Sequence, residues 1–591
     1  MKAASGLAYP PHVLREYAFL ADGERGALVG PRGEIAWMCV PRWDSDSVFS
    51  VLIGAEGVYT VSPVGRFVWG GYYERGSLIW RSRWVTETGV VECREALALP
   101  ADPERAVVLR RIEAVVGAAR VRVELEPRAG YGVSPLRDLD RHNDIWTGRT
   151  GPLRLRWQGA GSAQPSAGRT HRRCLTEISV PAGEHHDLVL ELAAGELPAE
   201  PTDADLAWRM TEATWKESVP GLQDCLAPRE ARHSYAVLRG MTSSSSGGMV
   251  AAATTSLPER AEAGRNYDYR YVWIRDQCYA GHAAAAAQDG RLLQDAVRFV
   301  ADRLLEHGSQ LAPAYTTVGG RVPDQRQLDL PGYPGGFDRI GNWVNAQFQL
   351  DAFGDALILL AEGAEAGVID GDGWQAAQVA AEAIACRWTE PDAGIWELEN
   401  RAWTHSRLTA AAGLRALAAL PSLPSRSSDW LALADRIVAD TSAHAVRRDG
   451  CWQRAPDDSG LDGSLLLPPL RGAIPADDPR TIATLSAFKR ELTLEGYAYR
   501  FRHDDRPLSE AEGSFTLCGF LVAMATCQQR DWLGARAWWE RTRTSCGPAT
   551  IYSEEYDTTE RQMRGNLPQS FVHALMLESS AVLGGTPARS D

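Results

Sequence analysis

The sequence predicts two unlike domains, an antiparallel β-sandwich followed by an all-α toroid of paired helices. Three observations carry this expectation. Short alternating segments fill the stretch from about Ala27 to Ala194, and from about Ala236 onward apolar residues recur at helical spacing. The chain, at 591 residues, is long enough for a core in each half.

In the first half, VRVELEP (Val121–Pro127) and HDLVLEL (His186–Leu192) alternate with period two. Strands with one face on a core read this way. ALVGPRGEIAWMCV, GVYTVSPV and SLIWRSRWVTETGVVECREALAL add further segments, punctuated by Gly, Pro and Asp. Many short strands with regular turns predict a sandwich, placed at residues 1–203. ADLAWRMTEATWKESV and the Pro-containing stretch after it (204–235) read as a linker helix. Residues 236–591 form the second domain, with about eleven or twelve helices expected. In NWVNAQFQLDAFGDALILL, residues Trp343, Ala346, Leu350, Phe353, Leu357 and Leu360 fall on one helical face. TSSSSGGM (Thr242–Met249) is low in complexity; since VAAATTSLPE follows at once, a loop inside the second domain is expected rather than a flexible linker.

Composition narrows the function classes. Asp and Glu total 76 against 62 Lys and Arg, a net charge of −14 with no basic block. That balance argues against nucleic acid and anionic membranes as partners. The 20 Trp include flat apolar faces of the kind that stack on sugars, although large cores use Trp as well. None of the ten cysteines forms CxxC, so buried free thiols are expected rather than a zinc site or a disulfide framework. The N-terminus lacks an apolar h-region, and no stretch reaches a membrane span. A cytoplasmic protein without metal or cofactor is the expectation; the sequence does not set its oligomeric state.

Four polar, aromatic-rich segments interrupt the helical texture: RNYDYRYVWIRD (Arg265–Asp276), GIWELENRAWTHS (Gly394–Ser406), YAYRFRHDD (Tyr497–Asp505) and IYSEEYDTTE (Ile551–Glu560). Loops and helix ends of this kind collect function. Together they offer what glycoside cleavage needs, a protonated carboxyl beside the leaving oxygen and a carboxylate on the opposite face. Glu397 follows Trp396, an apolar neighbour able to desolvate it. Glu554 and Glu555 are adjacent, so one can serve as base and the other as orienting partner. Arg275 and Asp276 can donate to and accept from a pair of sugar hydroxyls. On chemistry alone each of these groups also has a plain structural reading, as a helix-end carboxylate or a buried ion pair.

At these segments the chain resembles glycoside hydrolase family 15, the family of glucoamylases, bacterial trehalases and glucodextranases. ALVGPRGEIAWMCVPRWDSDSVF (Ala27–Phe49), TTSLPE (Thr254–Glu259), RNYDYRYVWIRD, GYPGGFDRIGNWVNAQFQLDAFGD (Gly332–Asp355), LDGSLLLPPLRGAIPADDPR (Leu461–Arg480), EGSFTLCGF (Glu512–Phe520), SEEYD (Ser553–Asp557) and GNLPQSFVHALM (Gly565–Met576) follow in family order. The resemblance implies a β-sandwich and an (α/α)6 barrel with a pocket at one end. It also implies Glu397 as general acid, Glu554 as general base and Tyr269 near the attacking water. Arg275 and Asp276 would hold the non-reducing glucose, with Trp273 as a pocket wall and Arg500 across the cleavage point. Glu512, Glu555, Trp396 and Trp343 complete the expected substrate-binding set.

Trp343, the run Gly335–Asp338 and the segment after Glu397 depart from the family pattern. They border the leaving-group side, and Trp343 with Gly335–Asp338 is expected to narrow it. The resemblance thus implies an inverting, exo-acting hydrolase of short α-glucosides, of the glucoamylase or α-glucosidase type, with trehalose as the alternative substrate. A phosphorylase of a related toroid family would use phosphate in place of the base, and a non-catalytic sugar-binding protein would lack one of the two glutamates. The retention of both Glu397 and Glu554 argues against each.

Overall fold

The alternating segments pair into two eight-stranded antiparallel sheets in a computed structural model that describes residues 9–166, 173–261, 264–421, 426–503 and 506–585. One sheet runs from Ala18–Ala21 through Gly26–Val29, Glu34–Cys39, Val58–Pro63, Ala119–Glu126 and Cys174–Val180 to Gln164–Pro165, with Ser47–Phe49 on its side. The other runs Leu136–His142, Ile145–Thr150, Leu153–Gln158, His185–Ala193, Arg105–Val116, Val90–Leu97, Trp80–Thr86, Phe67–Tyr73. The alternation is visible in burial. Val121 and Val123 point into the core while Arg120 and Arg122 face out and share Glu177. Trp84 and Trp157 reach across between the layers, to the Pro31 carbonyl and the Tyr59 hydroxyl, while Trp37 donates to the Ala253 carbonyl of the second domain.

Helix α1 (Ala204–Ser218) packs back on the second sheet, and the Asp203 side chain caps its start. Helix α2 (Pro228–Met241) begins at Pro228 and runs through residue 236, where the sequence reading put the domain boundary. Proline is favourable at a helix start, where its missing N–H is not needed.

Among the described residues eleven further α-helices follow: α3 (Ile274–Ala286), α4 (Gly290–His307), α5 (Leu350–Glu365), α6 (Gly371–Arg387), α7 (Thr404–Ala418), α8 (Ser427–His444), α9 (Leu467–Leu470), α10 (Pro479–Glu491), α11 (Thr516–Gln528), α12 (Trp532–Arg543) and α13 (Ser570–Gly584). α3, α5, α7, α11 and α13 are buried on nearly every side and form an inner ring. The short stretch from Gly463 through α9 completes it. Pro468 and Pro469 lie inside that stretch, removing two donors and restricting the residue before each, so no long helix forms there. The remaining helices wrap outside. α5 and α7 cross where a Cβ on Gly354 would stand 2.4 Å from the Thr409 carbonyl oxygen. Only glycine allows that approach.

One expectation needs correction. Trp343 does not continue the α5 face. Residues Trp343–Ala346 form a separate 3-10 turn, because the Asn342 side chain accepts from the Val344 N–H and the chain then extends before Leu350. The TSSSSGGM loop follows α2 directly and also touches the sandwich. Ser243 and Ser244 donate to the buried Glu24 of the sandwich, and Ser246 bonds the Thr317 carbonyl. Among the described residues, no helix is long and apolar enough to cross a membrane.

Candidate active site

The loops before α3, α5, α7, α11 and α13 converge on a cavity of about 370 Å³. The first turns of these helices therefore face it, and their partial positive ends favour negative charge there. Of the residues expected from sequence, Glu397, Glu554, Tyr269, Trp273, Arg275, Asp276, Trp396, Arg500 and Trp343 all line this cavity.

Glu397 lies in the turn before α7, with its N–H on the Gly394 carbonyl and a left-handed φ of 54°. A non-glycine residue held there is a local strain of the sort that gathers at functional sites. Its Oε1 accepts from the Trp273 indole at 2.5 Å and faces the Arg275 guanidinium at 3.7 Å. The side chain keeps 23% of its exposure, so it stands at the wall and not inside it. Trp396 was expected to shield Glu397. Its indole instead donates to Asp462 at 2.7 Å and its ring meets Phe515 edge-on, and Trp273 is the indole that bonds Glu397.

Glu554 is 4% exposed and accepts from the Tyr269 hydroxyl at 3.2 Å. Burial, and next the Glu259 carboxylate, push its pKa well above the ordinary range, while Arg500 and the Tyr269 bond pull it back. Tyr269 stacks on Tyr267 and meets Trp273 edge-on, which fixes the phenol between the two glutamates.

Arg275 donates to the Ile395 carbonyl at 2.6 Å and pairs with Asp276 at 3.5 Å. Burial raises the Asp276 pKa to about 6, and its Oδ2, in ion-pair range of Arg275, has no hydrogen-bond partner among the described residues. Two other cavity-lining groups share that condition, the Tyr279 hydroxyl and Gln569 Oε1. Buried polar atoms are rarely left unpaired, so a floor with three of them suits a ligand rich in hydroxyls.

Glu512 and Glu555, expected among the substrate-binding residues, stand behind Arg500 and off the cavity wall. Glu512 accepts from Arg500 at 2.8 Å and contacts Arg265 and His503. Glu555 turns away from the cavity to accept the Gly513 N–H at 2.8 Å, leaving Oε1 3.8 Å from Arg500. The strand pairing of Ser514–Phe515 with Glu555–Asp557 sets this alternation, one glutamate forward and the next back. Asp504 and Asp505, the last residues of the Tyr497–Asp505 segment, lie outside the described residues.

The sequence reading missed Glu259, Tyr279 and Gln569. Glu259 lines the cavity and accepts from Arg500 at 3.3 Å. It sits in TTSLPE and Gln569 in GNLPQS, both quoted motifs in which nothing singled out these side chains. The one group among the described residues with metal-ligand spacing, His185, Asp187 and Asp205, lies on the sandwich, far along the chain from this site, and Arg111 already engages both of its carboxylates.

Residues 231–581 match the glycosyl hydrolases family 15 profile, and residues 9–215 match the trehalase-like N-terminal profile. The chain is 30% identical to a trehalase of Mycobacterium tuberculosis, with 98% of this chain and 91% of the relative covered. It is likewise 30% identical to a trehalase of Mycolicibacterium smegmatis, over 97% of this chain and 91% of that one. A solved bacterial glucoamylase bound to acarbose superposes with a TM-score of 0.71 at 13% identity, covering 99% of this chain and 97% of the other. That likeness establishes a common fold.

Proposed function

This chain belongs to glycosyl hydrolases family 15, and from that premise we propose that it hydrolyses α,α-trehalose with inversion at one anomeric carbon. One observation carries the choice of substrate. Similarity to proteins named trehalase extends over both halves of the chain, the sandwich included. The sequence reading placed glucoamylase-type substrates first and trehalose second, and this similarity reverses that order. A cavity of about 370 Å³ is at the small end of ligand pockets, which run from ~300 to 1,000 Å³, and it suits a disaccharide.

In this reading Asp276, Arg275, Tyr279 and Gln569 hold one glucose. Arg500 and Glu259 face the other. Glu397 gives its proton to the glycosidic oxygen as the C1–O bond breaks. Glu554 takes a proton from a water that the Tyr269 hydroxyl helps orient, and the water oxygen bonds to C1 from the opposite face. Its raised pKa makes Glu554, once ionised, a stronger base than an ordinary carboxylate. Inversion requires the two carboxyl groups to stand roughly 6.5–9.5 Å apart, with room for the water.

The stereochemistry gives the test. Only one of the two anomeric carbons of trehalose is attacked, so the first products are one β-glucose and one α-glucose. Proton NMR in the opening minutes, before mutarotation, should show the two anomers in equal amounts. Release of α-glucose alone would mean retention and would overturn the assigned roles. Faster turnover of maltose or isomaltose than of trehalose would overturn the substrate and leave the hydrolase intact.

A further inference from the structure

The side chains of RNYDYRYVWIRD alternate in direction. Tyr267 and Tyr269 line the cavity, whereas Asp268 and Arg270 do not and are 0% and 1% exposed. An extended segment with period two produces this division. Asp268 and Arg270 therefore look backward, and behind them lies the sandwich.

Their contacts form a clamp. Arg270 Nε donates to Asp268 Oδ1 at 2.8 Å and Nη2 to Oδ2 at 2.7 Å, a two-point pair in which both partners are buried. The remaining donors of the guanidinium cross to the sandwich. Nη1 reaches the Ser45 carbonyl at 2.8 Å and Cys39 Sγ at 3.2 Å, and Nη2 contacts the Tyr131 hydroxyl at 3.0 Å. Asp268 Oδ2 accepts the Gly341 N–H at 2.9 Å, next to Asn342 and Trp343 of the cavity wall. One ion pair thus binds three pieces: the sandwich, the segment carrying Tyr269, and the loop at the cavity mouth.

We propose that Asp268 and Arg270 are positioning residues, through which the β-sandwich sets the Tyr269 hydroxyl against Glu554. Neither touches substrate. A buried guanidinium is a rigid fork, with its donors fixed in one plane, so its crossed contacts define where residue 269 sits between 268 and 270. Among the described residues, the sandwich supplies none of those that line the cavity. Its part in the reaction is to hold this segment in register. The inference rests on the proposed roles of Tyr269 and Glu554.

The test uses the full chain and the α-glucoside it turns over fastest, trehalose or maltose, with kcat, KM and melting temperature measured for each variant. Arg270→Lys keeps the charge and loses the fork. Misplacing a group can cost at most what its removal costs, so we expect kcat to fall severalfold, up to the ~10-fold set by Tyr269→Phe, with KM little changed. In a Tyr269→Phe background the same substitution should have much less effect, since the hydroxyl it positions is gone. If the two losses multiply, or Arg270→Lys lowers the melting temperature while kcat holds, Arg270 is structural only and the inference fails. Should Arg270→Lys not fold, Tyr131→Phe removes a single sandwich contact and carries the same comparison, with a smaller loss that must also vanish beside Tyr269→Phe. If Tyr269→Phe alone leaves kcat unchanged, the proposed role of Tyr269 has failed first.

Discussion

Tyr269→Phe removes one oxygen and leaves the ring in place, stacked on Tyr267 and edge-on to Trp273. The lost contact is the hydroxyl bond to Glu554 Oε1 at 3.2 Å. Hydrogen bonds to charged groups contribute ~1.5–3 kcal/mol. At this length, beyond the usual O–H···O range, the lower figure applies. About 1.5 kcal/mol corresponds to roughly a tenfold loss in kcat. The pH profile should move as well. The Tyr269 bond and Arg500 are what draw the Glu554 pKa down against burial, Glu259 and Asp276. Without the bond the carboxyl holds its proton to higher pH. A base works only when ionised, so the acid limb of kcat/KM should shift toward alkaline pH. Initial-rate measurements of glucose release across the pH range read both effects. An unchanged kcat together with an unmoved acid limb would refute the reasoning and leave Tyr269 as a packing ring.

Glu397→Gln and Glu554→Gln should each abolish most turnover while the folded state persists. The double variant should be little worse than either single one, because groups acting in one step do not contribute additively; near-normal glucose release by a folded single variant would refute the pair. Asp355 in α5 has its pKa pushed up to about 7 by burial and then by Asp351. Its folded pKa exceeds the unfolded one, so wild-type stability declines as pH rises from about 4 to 7. Asp355→Asn should therefore melt higher than wild type by a margin that grows over that window, with about 4 kcal/mol as the ceiling; a margin independent of pH would contradict this. Trp343 is 68% exposed at the cavity mouth. Trp343→Ala should leave the melting temperature nearly unchanged and raise activity on malto-oligosaccharides relative to disaccharides, and an unaltered ratio would remove Trp343 from the mouth's selectivity.

What could be read in the sequence follows from the range of the forces involved. Alternation in Val121–Pro127 and His186–Leu192 is a local pattern that marks strands, and strands lie there; at Val121–Val123 it matches burial on one face, whereas Leu188–Leu192 is buried on both. The helical period of α5 is equally local, but periodicity gives no stopping point. The spacing of Trp343 and Ala346 continued it by coincidence, while the Asn342 cap, a contact between residues two apart, decided the break. The (α/α)6 ring and the roles of Glu397 and Glu554 entered through family resemblance, because no local pattern brings those residues together.

Glu259, Tyr279 and Gln569 mark where this kind of reading ends. Each becomes recognisable only when the ring closes and places it on the cavity beside an unpaired neighbour or a shared guanidinium. The carboxylates around Arg500 make the same point through electrostatics. Glu259, Glu512, Glu554 and Glu555 come from three separate motifs, and all four act on the one guanidinium. Burial raises the cost of ionising each carboxylate, and the others raise it further. Glu512 is the exception, held below the ordinary range because His503 joins Arg500 on it. The charge state of Glu554 is therefore a property of the assembled cluster. The proposed roles single out two glutamates, but the pH at which they would act is set by side chains that no single segment contains.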